Sequence, residues 1–282
     1  MNTSKALRLL GLLLVLLVAS NALAQESESE DFIGSLNWTF GPATVSIPGG
    51  ASFNVPDGYA FLDPTETTKF QEYVQNIPTP NQTLFAPTSL SWFAVFQFEN
   101  TGYVRDDEEI DASSILEGIR EGQLAANKEL KDRGWATLQI DGWAYAPYYD
   151  PMTKRLEWAI AATSQPSGDK IVNFNTRILG RRGVMKVTLV TGPDVLQANV
   201  PEFKTALSGY TFLPDEKYTA FREGDKVAAY GLGALIVGGV AAAGAKSGIL
   251  KSVGKFILLG VLAVFAGMLG KLKSLFGKKK AD

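Results

Sequence analysis

The chain has 282 residues, a length for one or two domains. It carries 27 Lys plus Arg against 29 Asp plus Glu, a balance that speaks against a general nucleic-acid binder. Cys and His are both absent, which excludes thiol nucleophiles, Cys/His zinc sites, Ser-His-Asp triads and imidazole acid–base chemistry.

In chain order, Lys5 and Arg8 precede an apolar run from Leu9 to Val18, and Ala22-Leu23-Ala24 follows before Gln25. This three-part layout predicts a secretory signal peptide over 1–24, with an apolar core too short to span a bilayer comfortably. Residues 25–39 open with the polar, acidic QESESED and are expected to form a mobile segment.

An extracytoplasmic domain is expected over 40–216. Thr44–Ile47 and Ser52–Val55 flank Gly49-Gly50 as a hairpin. Asp63-Pro64-Thr65-Glu66 starts a helix that runs to about Asn76: Asp63 caps it, Pro64 takes its first position and Glu66 reaches back. Pro78 and Pro80 end it. Residues 90–98, LSWFAVFQF, are apolar on both faces and predict a central strand. The spacing of Ala112, Ile115, Ile119, Ala126 and Leu130 predicts a helix over 111–133, with a Ser114–Glu117 capping box and Gly134 at its end. Four β-rich runs follow near 136–145, 155–164, 171–179 and 184–191, the last two joined by Gly180-Arg181-Arg182-Gly183. A helix over about 195–208, divided or restarted by Pro201, and a strand near 209–213 complete the domain. The order predicts an α+β fold, an antiparallel sheet with helices packed on one side.

Residues 217–226 are expected to be a linker, 227–270 a membrane anchor of one or two helices, and 271–282 a basic tail. Val227 to Ala245 carries no charge and is long enough to span. Phe256 to Gly270 either spans or lies along the cytoplasmic face. Lys226, Lys246 and Lys271 mark the membrane boundaries, with Lys246 on the cytoplasmic side by the positive-inside rule. GGVAAAGAKSG at 238–248 imitates a phosphate loop. Ala245 stands before Lys246 where such a loop needs Gly, and an apolar segment leads into it instead of a strand, so its small residues are expected to pack membrane helices.

Four stretches carry a family resemblance: Gly102-Tyr103-Val104-Arg105-Asp106-Asp107; Gly142-Trp143-Ala144 with Pro147 and Tyr149-Asp150; Asn173-Phe174-Asn175 with Arg177 to Gly183; and Asp225 to Gly231. Together they resemble the DUF2167 family of bacterial membrane-anchored proteins, a domain of unknown function, over about residues 40–240. Met152-Thr153-Lys154-Arg155-Leu156 departs from that family's Thr-His-Lys-Leu pattern and lacks its imidazole. The resemblance implies a domain outside the bacterial inner membrane and anchored to it, and no reaction or catalytic residue. The element order is also loosely similar to the Mog1/PsbP-like fold.

The candidate ligand or partner surface comprises Arg177, Arg181 and Arg182, whose guanidinium groups pair with anions, and Trp143, Tyr148 and Tyr149, an aromatic surface. The acidic run Arg105–Asp111 reads either as a cation site or as a solvated loop whose last acid caps the next helix. Asp141, Asp150 and Glu157 are the carboxylates from which a hydrolase would draw a pair. No pattern implies a cofactor or a catalytic set. The leading expectation is a non-enzymatic envelope protein that binds a protein partner or a second copy of itself. The alternatives are a carboxylate-dependent cell-wall hydrolase and a solute- or lipid-binding module.

Overall fold

Alternation along the strands sets the layering. Val184 and Val190 face one side of their strand, whereas Met185, Val187 and Leu189 face the other, and all five are buried. Successive strand side chains point to opposite faces, so a strand apolar on both faces belongs in a sheet covered twice. The structure is a computed structural model that describes residues 31–73, 78–132 and 136–237. The expected signal peptide, Gly134, Lys246, Lys271 and the apolar segments beyond Val237 lie outside the described residues.

An eight-stranded antiparallel sheet has the order β1-β4-β5-β6-β10-β9-β8-β7. Its strands are β1 (Thr39–Phe40), β4 (Tyr59–Leu62), β5 (Thr83–Pro87), β6 (Phe93–Glu99), β7 (Thr137–Asp150), β8 (Arg155–Gln165), β9 (Lys170–Leu179) and β10 (Val184–Val190). A three-stranded sheet joins β2 (Ala43–Ile47) and β3 (Ala51–Val55) to β11 (Tyr210–Phe212). Besides a helical stretch at residues 31–35, the helices are α1 (Pro64–Tyr73), α2 (Ala112–Asp132), α3 (Leu196–Leu207) and the short α4 (Leu232–Val237).

The α+β class and the antiparallel sheet are as expected, but the helices do not share one side. Phe70 of α1, Ile119 of α2 and Leu232 and Leu235 of α4 pack with Leu84, Phe93, Leu156 and Trp158 on one face of the large sheet. Phe203 and Leu207 of α3 pack with the small sheet's Phe53 and Phe212 against Phe85, Phe96 and Phe174 on the other. Both faces of the large sheet are apolar, so both need cover. Each fully buried Leu or Phe contributes about 1.5–3 kcal/mol.

Several local expectations change. Strands β1, β4 and β5 were not foreseen, because runs such as Tyr59–Leu62 are too short to show a period. Asp63 does cap α1, accepting from the Glu66 N–H at 2.9 Å. Glu66 does not reach back; it accepts from Asn37 and from Lys69. Asp111, not a Ser114–Glu117 box, caps α2 by accepting from the N–H groups of Ser113 and Ser114. Pro201 lies inside an unbroken α3. β7 runs five residues past its expected end, through Pro147, with register shifts on the way. It is the last strand of the sheet, where a missing N–H is tolerated.

The expected linker 217–226 is held against the domain. Tyr218 is buried, and Asp225 is tied to Arg181. The first part of the expected anchor is held as well: Val227 bridges in parallel to Tyr103, and Leu232, Leu235 and Ile236 are buried. Among the described residues, no helix is long and apolar enough to cross a membrane.

Candidate functional site

The register of the large sheet assembles rows of side chains on its α2-facing side. One row runs Tyr149, Leu156, Arg177, Lys186 and Gln97 across β7, β8, β9, β10 and β6. The next places Trp158, Asn175, Thr188 and Val95 side by side, and a third Trp143, Ile160, Asn173, Val190 and Phe93. The two-residue period of β9 therefore turns Asn173, Asn175 and Arg177 inward together.

Polar groups at the centre of a sheet need partners, and here the balance is incomplete. Lys186 Nζ lies 2.9 Å from Glu99 Oε1. Arg177 is buried with its guanidinium 4.7 Å from the centre of the Trp158 ring, and Nη1 donates to the Thr176 carbonyl at 3.2 Å. Among the described residues it forms no ion pair. Burial pulls Arg177 down to about 10, with Glu99 opposing. Burial, then the charge of Arg177, lowers Lys186 as well, again against Glu99. Thr188 donates to Asn175 Oδ1 at 3.3 Å, and Asn175 Nδ2 to the Asn173 carbonyl at 3.3 Å.

At the β7 end of the same face stands Asp106. The Tyr149 hydroxyl donates to its Oδ2 at 2.7 Å, Lys154 Nζ lies 2.7 Å from the same oxygen, and the Tyr218 hydroxyl is 2.9 Å from Oδ1. Lys154 also lies 4.9 Å from the centre of the Tyr218 ring. Burial pushes the Asp106 carboxyl up, but the hydrogen bonds from Lys154, Tyr149 and Tyr218 together outweigh it and hold the group below the usual range. Burial first, then the bond to Asp106, raises Tyr149.

A clamp fixes the strap from Asp225 to Ala228. Arg181 grips Asp225 through Nε at 2.6 Å and Nη2 at 2.7 Å, and Arg182 grips Glu216 in the same two-pronged way. The Tyr103 N–H donates to the Lys226 carbonyl and the Ala228 N–H to the Tyr103 carbonyl, each at 2.8 Å. Gly102 permits this approach: its φ is 94°, and a Cβ there would lie 2.6 Å from the Lys226 carbonyl oxygen. Hydrogen bonds from the Arg181 side chain and then the Arg222 N–H lower Asp225 to about 2. A depressed folded-state value means that the clamp stabilises fully above the unfolded carboxylate value of about 3.9 and is lost as the pH falls toward the folded one. Hydrogen exchange, corrected for intrinsic rate, is expected to show protection of the Tyr103 and Ala228 amides falling from about pH 4 to about pH 2. The Asp225→Ala variant should lack that protection at every pH, and wild-type protection unchanged across the range would count against the clamp.

Comparison with known proteins places the chain. The family described as a protein of unknown function (DUF2167) matches residues 39–270. The chain belongs to this family. No curated protein matches it. Among solved structures, cyanobacterial PsbP (CyanoP) from Synechocystis is 10% identical, with 64% of this chain and 93% of that one covered at a TM-score of 0.35. A protein of unknown function from Pseudomonas aeruginosa, described as a putative regulator, is 12% identical, with 61% and 96% covered at a TM-score of 0.26.

The stretches through which the sequence resembles DUF2167 are stitched together. Gly102–Asp107 bonds to Arg182, to Lys226 and to Tyr149. The expected surface does not form as one. Arg177, Trp143 and Tyr149 share the α2-facing side, where Trp143 donates to the Ala112 carbonyl at 3.1 Å. Arg181 and Arg182 are spent on Asp225 and Glu216, and Tyr148 is exposed, 57% of its surface being open. In the acidic run, Asp106 is the hub, Glu108 accepts from the Gly233 N–H and Asp111 caps α2. Among the described residues, no group of three or more carboxylates gathers as a metal site. Sequence reasoning missed Lys186, Glu99 and Tyr218 as site residues. For Lys186 and Glu99 the available signal was polar residues recurring every second position in an otherwise apolar strand; Tyr218, on a short 3-10 turn, had none.

Proposed function

We propose that this DUF2167 protein is a non-enzymatic binding domain of the bacterial envelope, displayed outside the inner membrane and tethered through its apolar C-terminal segments. The observation that supports binding is the pairing of buried Arg177 with half-buried Lys186 across β9 and β10, beside Asn175 of the next row, where two cations meet the carboxylate of Glu99. Buried charge that the fold does not fully pair marks candidate sites of recognition.

The hydrolase reading has less support. Asp141 accepts from Thr163 at 2.7 Å and pairs with Lys170. Glu157 pairs with Lys204 at 2.5 Å, and Asp150 accepts from the Thr153 hydroxyl and the Met152 N–H. Thr163 and Glu157 lie on one strand about 20 Å apart at the strand rise. A glycosidase pair needs roughly 5–10 Å.

The test uses the full chain, because residues beyond 216 are part of the packed domain. Incubation with peptidoglycan is expected to release no muropeptides. Release that is lost in Asp141→Asn or Glu157→Gln would overturn the non-enzymatic reading.

A further inference from the structure

We propose that Arg177 and Lys186 form a binding site for a single oxyanion group, a phosphate or carboxylate, entering from the Glu99 side. This rests on the binding reading above and names its ligand class.

Arg177 and Lys186 are directly opposite one another in the β9–β10 register. Like charges so placed repel, and one carboxylate neutralises only one of them. Glu99 is committed to Lys186. Arg177 has five N–H donors, of which the structure engages Nη1 alone, on a backbone carbonyl. Trp158 lies against the guanidinium, with its ring centre 4.7 Å away, and a guanidinium's remaining N–H groups form the fork that matches a carboxylate or phosphate edge.

Exposure rises toward Glu99. Arg177 is 8% exposed, the Lys186 side chain 19% and the Glu99 side chain 32%. Half-buried Gln97 adjoins Lys186 in the same row. The Tyr230 side chain, on the chain just after the strap, is half-buried beside Thr101 and feels the charge of Glu99. Two cations against one carboxylate leave one positive charge, which one monoanionic group would cancel. Direct pairing with the guanidinium would then replace the missing ion pair.

Thermal unfolding of the full chain in detergent micelles tests this. The probes are inorganic phosphate, succinate, and short-chain phosphatidylglycerol with phosphatidylcholine as the uncharged control. At about a hundred times Kd, the expected rise in Tm is about 5–10 °C. A response to phosphate or succinate points to a soluble anion, and a response to phosphatidylglycerol alone to a lipid headgroup. Arg177→Met is expected to melt higher than wild type without ligand, since a buried unpaired charge is removed, and to show no response. Lys186→Gln serves as the second variant and should reduce the response at least tenfold in apparent affinity. No response to any probe in wild type, or an equal response in both variants, overturns the proposal. Either result leaves the absence of muropeptide release, and with it the non-enzymatic reading, standing.

Discussion

Asp106→Ala is expected to destabilise the domain by about 2–4 kcal/mol. One carboxylate takes the Tyr149 hydroxyl, the Lys154 ammonium and the Tyr218 hydroxyl, and its own side chain is 24% exposed. Truncation leaves the Tyr149 hydroxyl and the Lys154 ammonium without their shared acceptor, while the Tyr218 hydroxyl keeps the Val104 carbonyl at 2.9 Å, and orphaned donors cost more than a hydrogen bond returns when made. The figure is below that for a fully buried pair because Lys154 still reaches solvent, its side chain being 28% exposed. Tyr149→Phe and Tyr218→Phe each remove a single donor and should cost about 1 kcal/mol, as urea midpoints will show. An Asp106→Ala loss no larger than that of Tyr149→Phe would mean that Asp106 is not the hub.

The same hub imposes a pH dependence. The Asp106 carboxyl lies below its usual value in the folded state, so its contribution is present above the unfolded value of about 3.9. It is lost as the pH falls through the folded value. Asp106→Asn should therefore lose stability at neutral pH and show a shallower acid decline than wild type. Parallel declines would place the acid sensitivity elsewhere.

Trp158→Ala carries the other large effect, about 3–5 kcal/mol. Trp158 is 2% exposed within the α2-facing core, and its ring centre lies 4.7 Å from the Arg177 guanidinium. Truncation removes apolar burial, opens a void and strips the buried cation of the ring that stands in for a counter-charge. Trp158→Phe should recover more than half the loss. Paired with Arg177→Met in a double-mutant cycle, Trp158→Ala should cost less than it does alone, since the cation it exposes is gone. Strict additivity would separate the ring from the charge.

How far the sequence carries this protein differs between elements and partners. The hairpin β2–β3, helices α1 to α3 and strands β6 to β11 were legible because each is encoded by near neighbours: a two- or 3.6-residue period, a cap such as Asp63, a turn such as Gly180–Gly183. The absence of Cys and His likewise limits the chemistry without reference to any fold. Membership in DUF2167 was visible in motif stretches that are far apart in the chain. What those stretches do to one another was not visible. Asp106 meets Tyr218 across 112 residues and Arg181 meets Asp225 across 44, and no local pattern records such a pairing. An arginine in a turn reads as a free anion-binding group until the fold brings a carboxylate to it, which is the case for Arg181 and Arg182. Arg177 reads the same way in sequence and keeps its unspent donors. The difference lies in strand register, which places Lys186 and Trp158 beside Arg177 and gives Glu99 to Lys186. Periodicity decides which side a residue faces, but only tertiary packing decides what waits there, because side-chain pairing across a sheet depends on contacts between distant segments.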